Sequence, residues 1–299
     1  LKIIPDTKYG VTNMKIFKYI FSLMHYSWIG VFIINTAFAQ YENGGNELLK
    51  RKTFQWPEGK KIAISLTFDD ARTSQLDVGM PIINKHGIKA TFYVSPNNME
   101  SRKKAWIQAV KDGHEIANHS LNHPCTGNFS WSRKKALENY TLEQMQAELK
   151  EANNIIEKLV GVQPKTFAYP CGQKFVGRGT NLKSYIPLIA EMFLAGRGWL
   201  DESTNDPAFC DPAQLLGTEL DGLTFEQTLA LIEEAKKSEH WLIFAGHDIG
   251  EPGRQTVLAT TLDKLCQYAS DPNNKIWMDT VEHIADYMIK FRKEHRITF

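Results

Sequence analysis

Asp69 and Asp70 stand side by side at the end of an apolar run, residues 62–68. Two carboxylates in such a place are expensive unless a cation or a metal compensates them. Further along, His119-Ser120-Leu121-Asn122-His123 has a His-x-x-x-His spacing, which puts both imidazoles on one face of a helical turn and suits a shared divalent ion. A carboxylate with two histidines is a common facial set that leaves positions open for water and substrate. Two more apolar runs end in reactive residue types: 241–245 leads into Gly246-His247-Asp248, and 166–169 into Pro170-Cys171-Gly172. Each piece alone says little, because an Asp-Asp pair is usually a solvated turn or helix cap and a His-x-x-x-His arises readily among nine histidines. Their recurrence at successive strand ends is much harder to attribute to chance.

Those ends belong to short runs rich in β-formers: residues 62–68, 90–94, 115–117, 166–169, 193–195, 241–245 and 276–278. Helical patterns separate them, over residues 80–86, 105–112, 142–160, 182–192, 225–238, 257–269 and 281–293. The clearest, 142–160, is introduced by a capping box, Thr141 with Gln144, and closed by Gly161. Strands alternating with helices over this length predict an α/β domain with a parallel sheet, closed or nearly closed into a barrel. In such folds the reactive groups sit at the carboxyl ends of the strands. No Gly-x-Gly-x-x-Gly or Walker sequence follows a strand, so nucleotide binding has no support.

With those positions in place, residues 60–288 resemble the polysaccharide deacetylases of the NodB homology type, carbohydrate esterase family 4. The resemblance implies a distorted (β/α) barrel of about seven strands. Thr67-Phe68-Asp69-Asp70 is similar to the first family motif, which makes Asp69 the catalytic base and Asp70 a metal ligand. His119-Ser120-Leu121-Asn122-His123-Pro124 is similar to the second, with His119 and His123 as ligands of a divalent metal, Zn2+ or alternatively Co2+ or Ni2+. Phe167-Ala168-Tyr169-Pro170-Cys171-Gly172 aligns with the third, giving the Cys171 amide to an oxyanion. Residues 242–247 align with the last, giving His247 as the acid that protonates the departing sugar. Gly196-Arg197-Gly198-Trp199-Leu200-Asp201 is the best candidate for the fourth. Ala168 stands where many members carry an Arg that holds the catalytic Asp. A carboxylate at a barrel mouth needs a partner to fix its rotamer and compensate its charge. Arg197, just past a neighbouring strand, is one candidate; the alternative is that it reaches solvent or pairs with Asp201 or Glu202. Asp248 either orients an imidazole or is a turn carboxylate.

The implied activity is metal-dependent hydrolysis of N- or O-linked acetyl groups from a polysaccharide or oligosaccharide. A non-catalytic carbohydrate-binding barrel and a deacylase of a small amide are the alternatives. Trp131, in the polar insertion after the histidine motif, is a candidate platform for a sugar face. With 35 Lys+Arg against 34 Asp+Glu, the chain has a formal net charge of +1 and no field to draw nucleic acid or anionic membrane. Met14, Lys15, Lys18, an apolar stretch and Ala37-Phe38-Ala39 have the layout of a secretory signal. Residues 1–39 thus read as an upstream extension plus signal, 40–53 as a linker and 54–299 as the deacetylase domain. The product is expected to be secreted or periplasmic, or membrane-anchored if the signal stays. Residues 1–39 carry four lysines and one aspartate, so the remainder has a net charge of −2. The four cysteines allow a disulfide in an oxidising compartment, with Cys171 expected as a free thiol near the site. Nothing in the sequence fixes the oligomeric state.

Overall fold

Each apolar run is followed by a helix that returns the chain to the same edge, so successive strands can only pair in parallel. The computed structural model describes residues 54–297; the signal and linker expected over 1–53 lie outside the described residues. The main strands are β1 (Ile62–Asp69), β2 (Thr91–Val94), β3 (Glu115–Asn118) and β4 (Thr166–Ala168). A small antiparallel hairpin follows, β5 (Phe175–Val176) with β6 (Lys183–Ser184). Then come β7 (Ala195–Arg197), β8 (Thr218–Glu219), β9 (Trp241–Gly246), a minor pair β10 (Asp248–Gly250) and β11 (Thr256–Leu258), and β12 (Ile276–Met278). The helices are α1 (Met80–Lys85), α2 (Lys103–Lys111), α3 (Leu142–Val160), α4 (Ile186–Met192), α5 (Phe225–Ser238), α6 (Ala259–Ser270) and α7 (Val281–His295).

The principal sheet runs β7-β4-β3-β2-β1-β9-β8, all parallel. Leu215, just before β8, bridges Arg197 of β7 in parallel: Gly198 N–H donates to its carbonyl at 2.7 Å, and its own N–H donates to Gly196 at 2.8 Å. Seven strands therefore curl round into a barrel, as expected. The distortion comes from β12. On one side of β1, β9 pairs along residues 63–68; on the other, β2 pairs at residues 67–69 and β12 at residues 62–64. Two strands thus share one edge, and β1 is flared at its amino end.

Alternation along β1 sorts its residues. Ile62, Ile64, Leu66 and Phe68 pack outward under α1, α2, α5 and α6, whereas Ala63, Ser65, Thr67 and Asp69 take the inner face. The inner layer is lined by small residues, Ala63, Ala117, Ala168 and Ala195, with Tyr93 and Trp241 as its large members. Helix α7 packs Val281, Ile284, Ala285 and Met288 against this layer. Its first turn is held from inside: Thr91 Oγ1 accepts from Val281 N–H, and Glu115 Oε2 accepts from Glu282 N–H, both at 2.9 Å. Burial pushes the Glu115 carboxyl up to about 7.

Helix α3 forms where its cap signals place it. Gln144 N–H donates to Thr141 Oγ1 at 3.2 Å, Thr141 N–H donates to Gln144 Oε1 at 2.8 Å, and Gly161 ends the helix at φ +81°. The helix expected over 182–192 is shorter. Residues 183–184 form β6, and α4 begins at Ile186 because Pro187 fits only the first helical turn. Thr141→Ala is expected to lower unfolding stability by about 1 kcal/mol, read as a lower urea midpoint with unchanged slope.

Candidate active site

β1 delivers Asp69 and Asp70 to the barrel mouth, and the backbone then turns sharply, with Asp70 at φ +76° and Ala71 at +54°. β3 delivers His119. The two imidazoles do meet, with ring centroids 4.7 Å apart, but not on a helical turn. Ser120 and His123 adopt φ +62° and +50° in an irregular loop, pinned by Ser120 N–H to Asn118 Oδ1 at 2.6 Å and His123 N–H to Ser120 Oγ at 3.0 Å. The side-chain spacing brought them together; short polar caps, not helix periodicity, set the path.

Asp70 Oδ1 lies 3.7 Å from His119 Nε2 and 3.6 Å from His123 Nε2. These separations are too long for hydrogen bonds and suit donors grouped round one ion. His119 Nδ1–H donates to the Ala168 carbonyl at 2.9 Å, which leaves Nε2 with its lone pair directed at Asp70, the arrangement of a metal-ligating histidine. Burial and the neighbouring His119 hold His123 down to about 4, so it is neutral and ready to ligate. Burial tends to raise the Asp70 carboxyl, but His119, His123, His247 and Arg72 outweigh it and leave its pKa below the usual value. The residues present therefore fit a divalent ion.

Asp69 is 3 % exposed, and Arg197, 0 % exposed, donates from Nη2 to its Oδ1. Arg197 does not reach solvent or Asp201. Its Nη1 donates to Gly198 O at 2.8 Å, and the guanidinium lies over the Tyr93 ring at 4.9 Å. Asp69 Oδ2 faces the other way, 3.9 Å from His119 Nε2.

His247 follows β9, in register beside the end of β1. Asp221, which no motif in the sequence marks, clamps it twice: Oδ1 accepts from His247 N–H at 3.0 Å and Oδ2 from Nδ1–H at 2.6 Å. Burial opposes charge on His247, but the Asp221 hydrogen bond and the charges of Asp69, Asp221 and Asp70 raise its pKa above the usual 6.5. Asp248 instead takes Ser74 Oγ at 2.6 Å and Arg72 Nη1 at 2.7 Å. The signal for Asp221 was slight: a two-residue strand, Thr218–Glu219, then Leu220-Asp221-Gly222.

Asp69, Asp70, Arg72, His119, His123 and His247 line one cleft of about 810 Å³. Residues 57–182 match the family model described as polysaccharide deacetylase. Over that stretch the chain is similar to that family. The chain is 36% identical over 97 residues to the uncharacterized protein YlxY of Bacillus subtilis (strain 168), which is 32% of this chain and 27% of that one. It is 31% identical over 113 residues to peptidoglycan-N-acetylmuramic acid deacetylase PdaC of the same organism, 36% of this chain and 21% of that one. The chain thus spans well under half the length of these relatives. A structure from Mycobacterium smegmatis assigned to the polysaccharide deacetylases shares the fold, at TM-score 0.57 and 17% identity, covering 80% of this chain and 93% of that one.

Against the deacetylase motifs, the structure explains one departure and corrects one expectation. Ala168 and Arg197 are register partners on adjacent strands, so a guanidinium displaced from the first is restored from the second. Cys171 is not a free thiol; it forms a disulfide with Cys125, while Cys210 and Cys266 are free. The bridge ties the loop after His123 to the Pro170–Gly172 turn. In that turn Cys171 sits at φ +53°, and the internal hydrogen bonds use Gly172 and Gln173 N–H, not the Cys171 amide. Trp131 is 55% exposed at the cleft, stacked on Phe129 at 5.4 Å and 6.0 Å from His123. Thiol titration of unfolded, unreduced protein is expected to count only Cys210 and Cys266, with Cys125 and Cys171 appearing after reduction. A Cys125→Ser, Cys171→Ser variant should lose about 2–5 kcal/mol of stability in denaturant unfolding.

Proposed function

We propose that the protein is a metal-dependent hydrolase that removes acetyl groups from a polysaccharide outside the cytoplasm. The observation that carries this reading is the division of labour between two adjacent carboxylates. Asp70 Oδ1 joins His119 and His123, while Asp69 is held by Arg197 with Oδ2 turned toward the same place. Asp70, His119 and His123 would hold the ion, Zn2+ or alternatively Co2+ or Ni2+, which when bound acidifies water and polarises a carbonyl.

Asp69 Oδ2 takes the proton of the attacking water, and Arg197 keeps the carboxylate in the rotamer that faces it. The Cys171 amide offers an N–H to the oxygen that gains charge, a contribution typically worth about 3 kcal/mol. His247 Nε2 gives a proton to the departing sugar nitrogen or oxygen, with Nδ1 fixed by Asp221. Trp131 and Phe129 form an apolar wall on which a sugar face can stack. Relatives named as peptidoglycan and chitin deacetylases support a glycan substrate. Export is supported by the signal-like pattern of residues 14–39 and by the Cys125–Cys171 bridge.

The decisive experiment measures acetate release from acetylated xylan, chitin oligomers, peptidoglycan and poly-N-acetylglucosamine, with and without chelator. Release that stops with chelator and returns with a divalent ion is expected; glycan binding without release would make the protein a binding module, and release only from small acetamides would make it a small-amide deacylase. Asp69→Asn should keep its metal and lose about 10²–10⁴-fold in kcat. Asp221→Asn removes the partner that raises the His247 pKa. An acid must be protonated to act, so the alkaline limb of the kcat/KM profile should move to lower pH.

A further inference from the structure

Arg72 has no part in the steps above, yet its guanidinium binds the carboxylate among the proposed ligands. Nε and Nη2 lie 3.3 and 3.0 Å from Asp70 Oδ2. Nη1 donates to Asp248 Oδ2 at 2.7 Å, and Nη2 also donates to Gln255 Oε1 at 3.0 Å. Asp248 is anchored in turn by Ser74, whose Oγ donates to Asp248 Oδ1 at 2.6 Å and accepts from Ile249 N–H at 3.0 Å. The two oxygens of Asp70 are therefore divided. Oδ1 meets the imidazoles, and Oδ2 is held in a guanidinium fork.

We propose that Arg72 is a positioning residue that makes Asp70 a one-oxygen ligand, an inference that rests on reading Asp70, His119 and His123 as the metal set. A carboxylate free to rotate offers both oxygens to a divalent ion. The second oxygen would then compete for a position that water or the acetyl carbonyl needs. Tighter metal binding does not explain the arrangement, since a guanidinium beside a dication is repulsive. The three partners lie in different directions from one planar group, which a lysine cannot reproduce.

Loading the full chain with Co2+ tests this without reference to turnover. Arg72→Met is expected to retain one Co2+ per chain while its visible d–d absorption weakens, as it does when coordination number rises. In that variant kcat should fall about 10–100-fold, the usual effect of losing a group that orients a ligand. Arg72→Lys should recover only part of the absorption, because an ammonium can still reach Oδ2 but cannot hold all three partners at once. A folded Arg72→Met protein with an unchanged spectrum overturns the proposal; so does loss of Co2+ uptake, which would make Arg72 a prop for the turn. If Arg72→Met fails to fold, Asp248→Asn with Gln255→Met loosens the same guanidinium, and an unchanged spectrum there is equally fatal. The expected spectral change in a protein that releases no acetate from any glycan would overturn the deacetylase reading alone.

Discussion

The buried Asp69–Arg197 pair is the interaction on which the rest of the barrel mouth depends. Both side chains are almost wholly out of water, at 4% and 0% exposure, where unpaired charges would cost several kcal/mol each. The surroundings are arranged to hold them. Small residues on the inner face, Ala117, Ala168 and Ala195, leave room for a long side chain to cross the barrel. Gly217 is required by the same passage, because a Cβ there would lie 2.5 Å from Arg197 Cδ. Tyr93 supplies an aromatic face, and Gly198 a carbonyl. An alanine in the third motif is thus one feature of a rearranged interior.

Around that pair the backbone is held in costly conformations. Among the described residues, eleven non-glycine positions have positive φ, and seven of them, Asp70, Ala71, Ser120, His123, Cys171, Leu200 and Gln255, lie in or beside the cleft. Each such residue costs about 1–2 kcal/mol, so the surrounding contacts must over-determine them. The contacts are visible: Asn118 and Ser120 cap the histidine loop, the Cys125–Cys171 bridge spans two loops, and Asn98 Nδ2 donates to the Asp70 carbonyl at 2.9 Å. Gln75 Nε2 joins the ends of β1 and β9 by donating to the carbonyls of Asp69 at 2.6 Å and His247 at 3.0 Å. The donor atoms are thereby set before any ligand arrives.

Local pattern in the chain is enough for the strand and helix alternation, for the caps of α3, and for the strand ends at or just after which Asp69, Asp70, His119, His123 and His247 emerge. Those features are local: a period of apolar residues, a capping pair, a reactive residue following a β-rich run. Tertiary structure decided which partners those residues find. Asp221 follows a strand of two residues, too short for any periodicity to show, and becomes a clamp only because β8 lies against β9. Arg197 and Asp69, far apart in the chain, meet through the register of β4 with β7 and the closing bridge at Leu215. On paper Asp248, next in the chain, is the candidate partner for His247; in the fold Arg72 and Ser74 take Asp248, and Asp221 clamps the imidazole instead. Cysteine pairing was undecidable for the same reason, because a bridge needs two Cβ vectors to converge in space and four positions along a chain carry no such information.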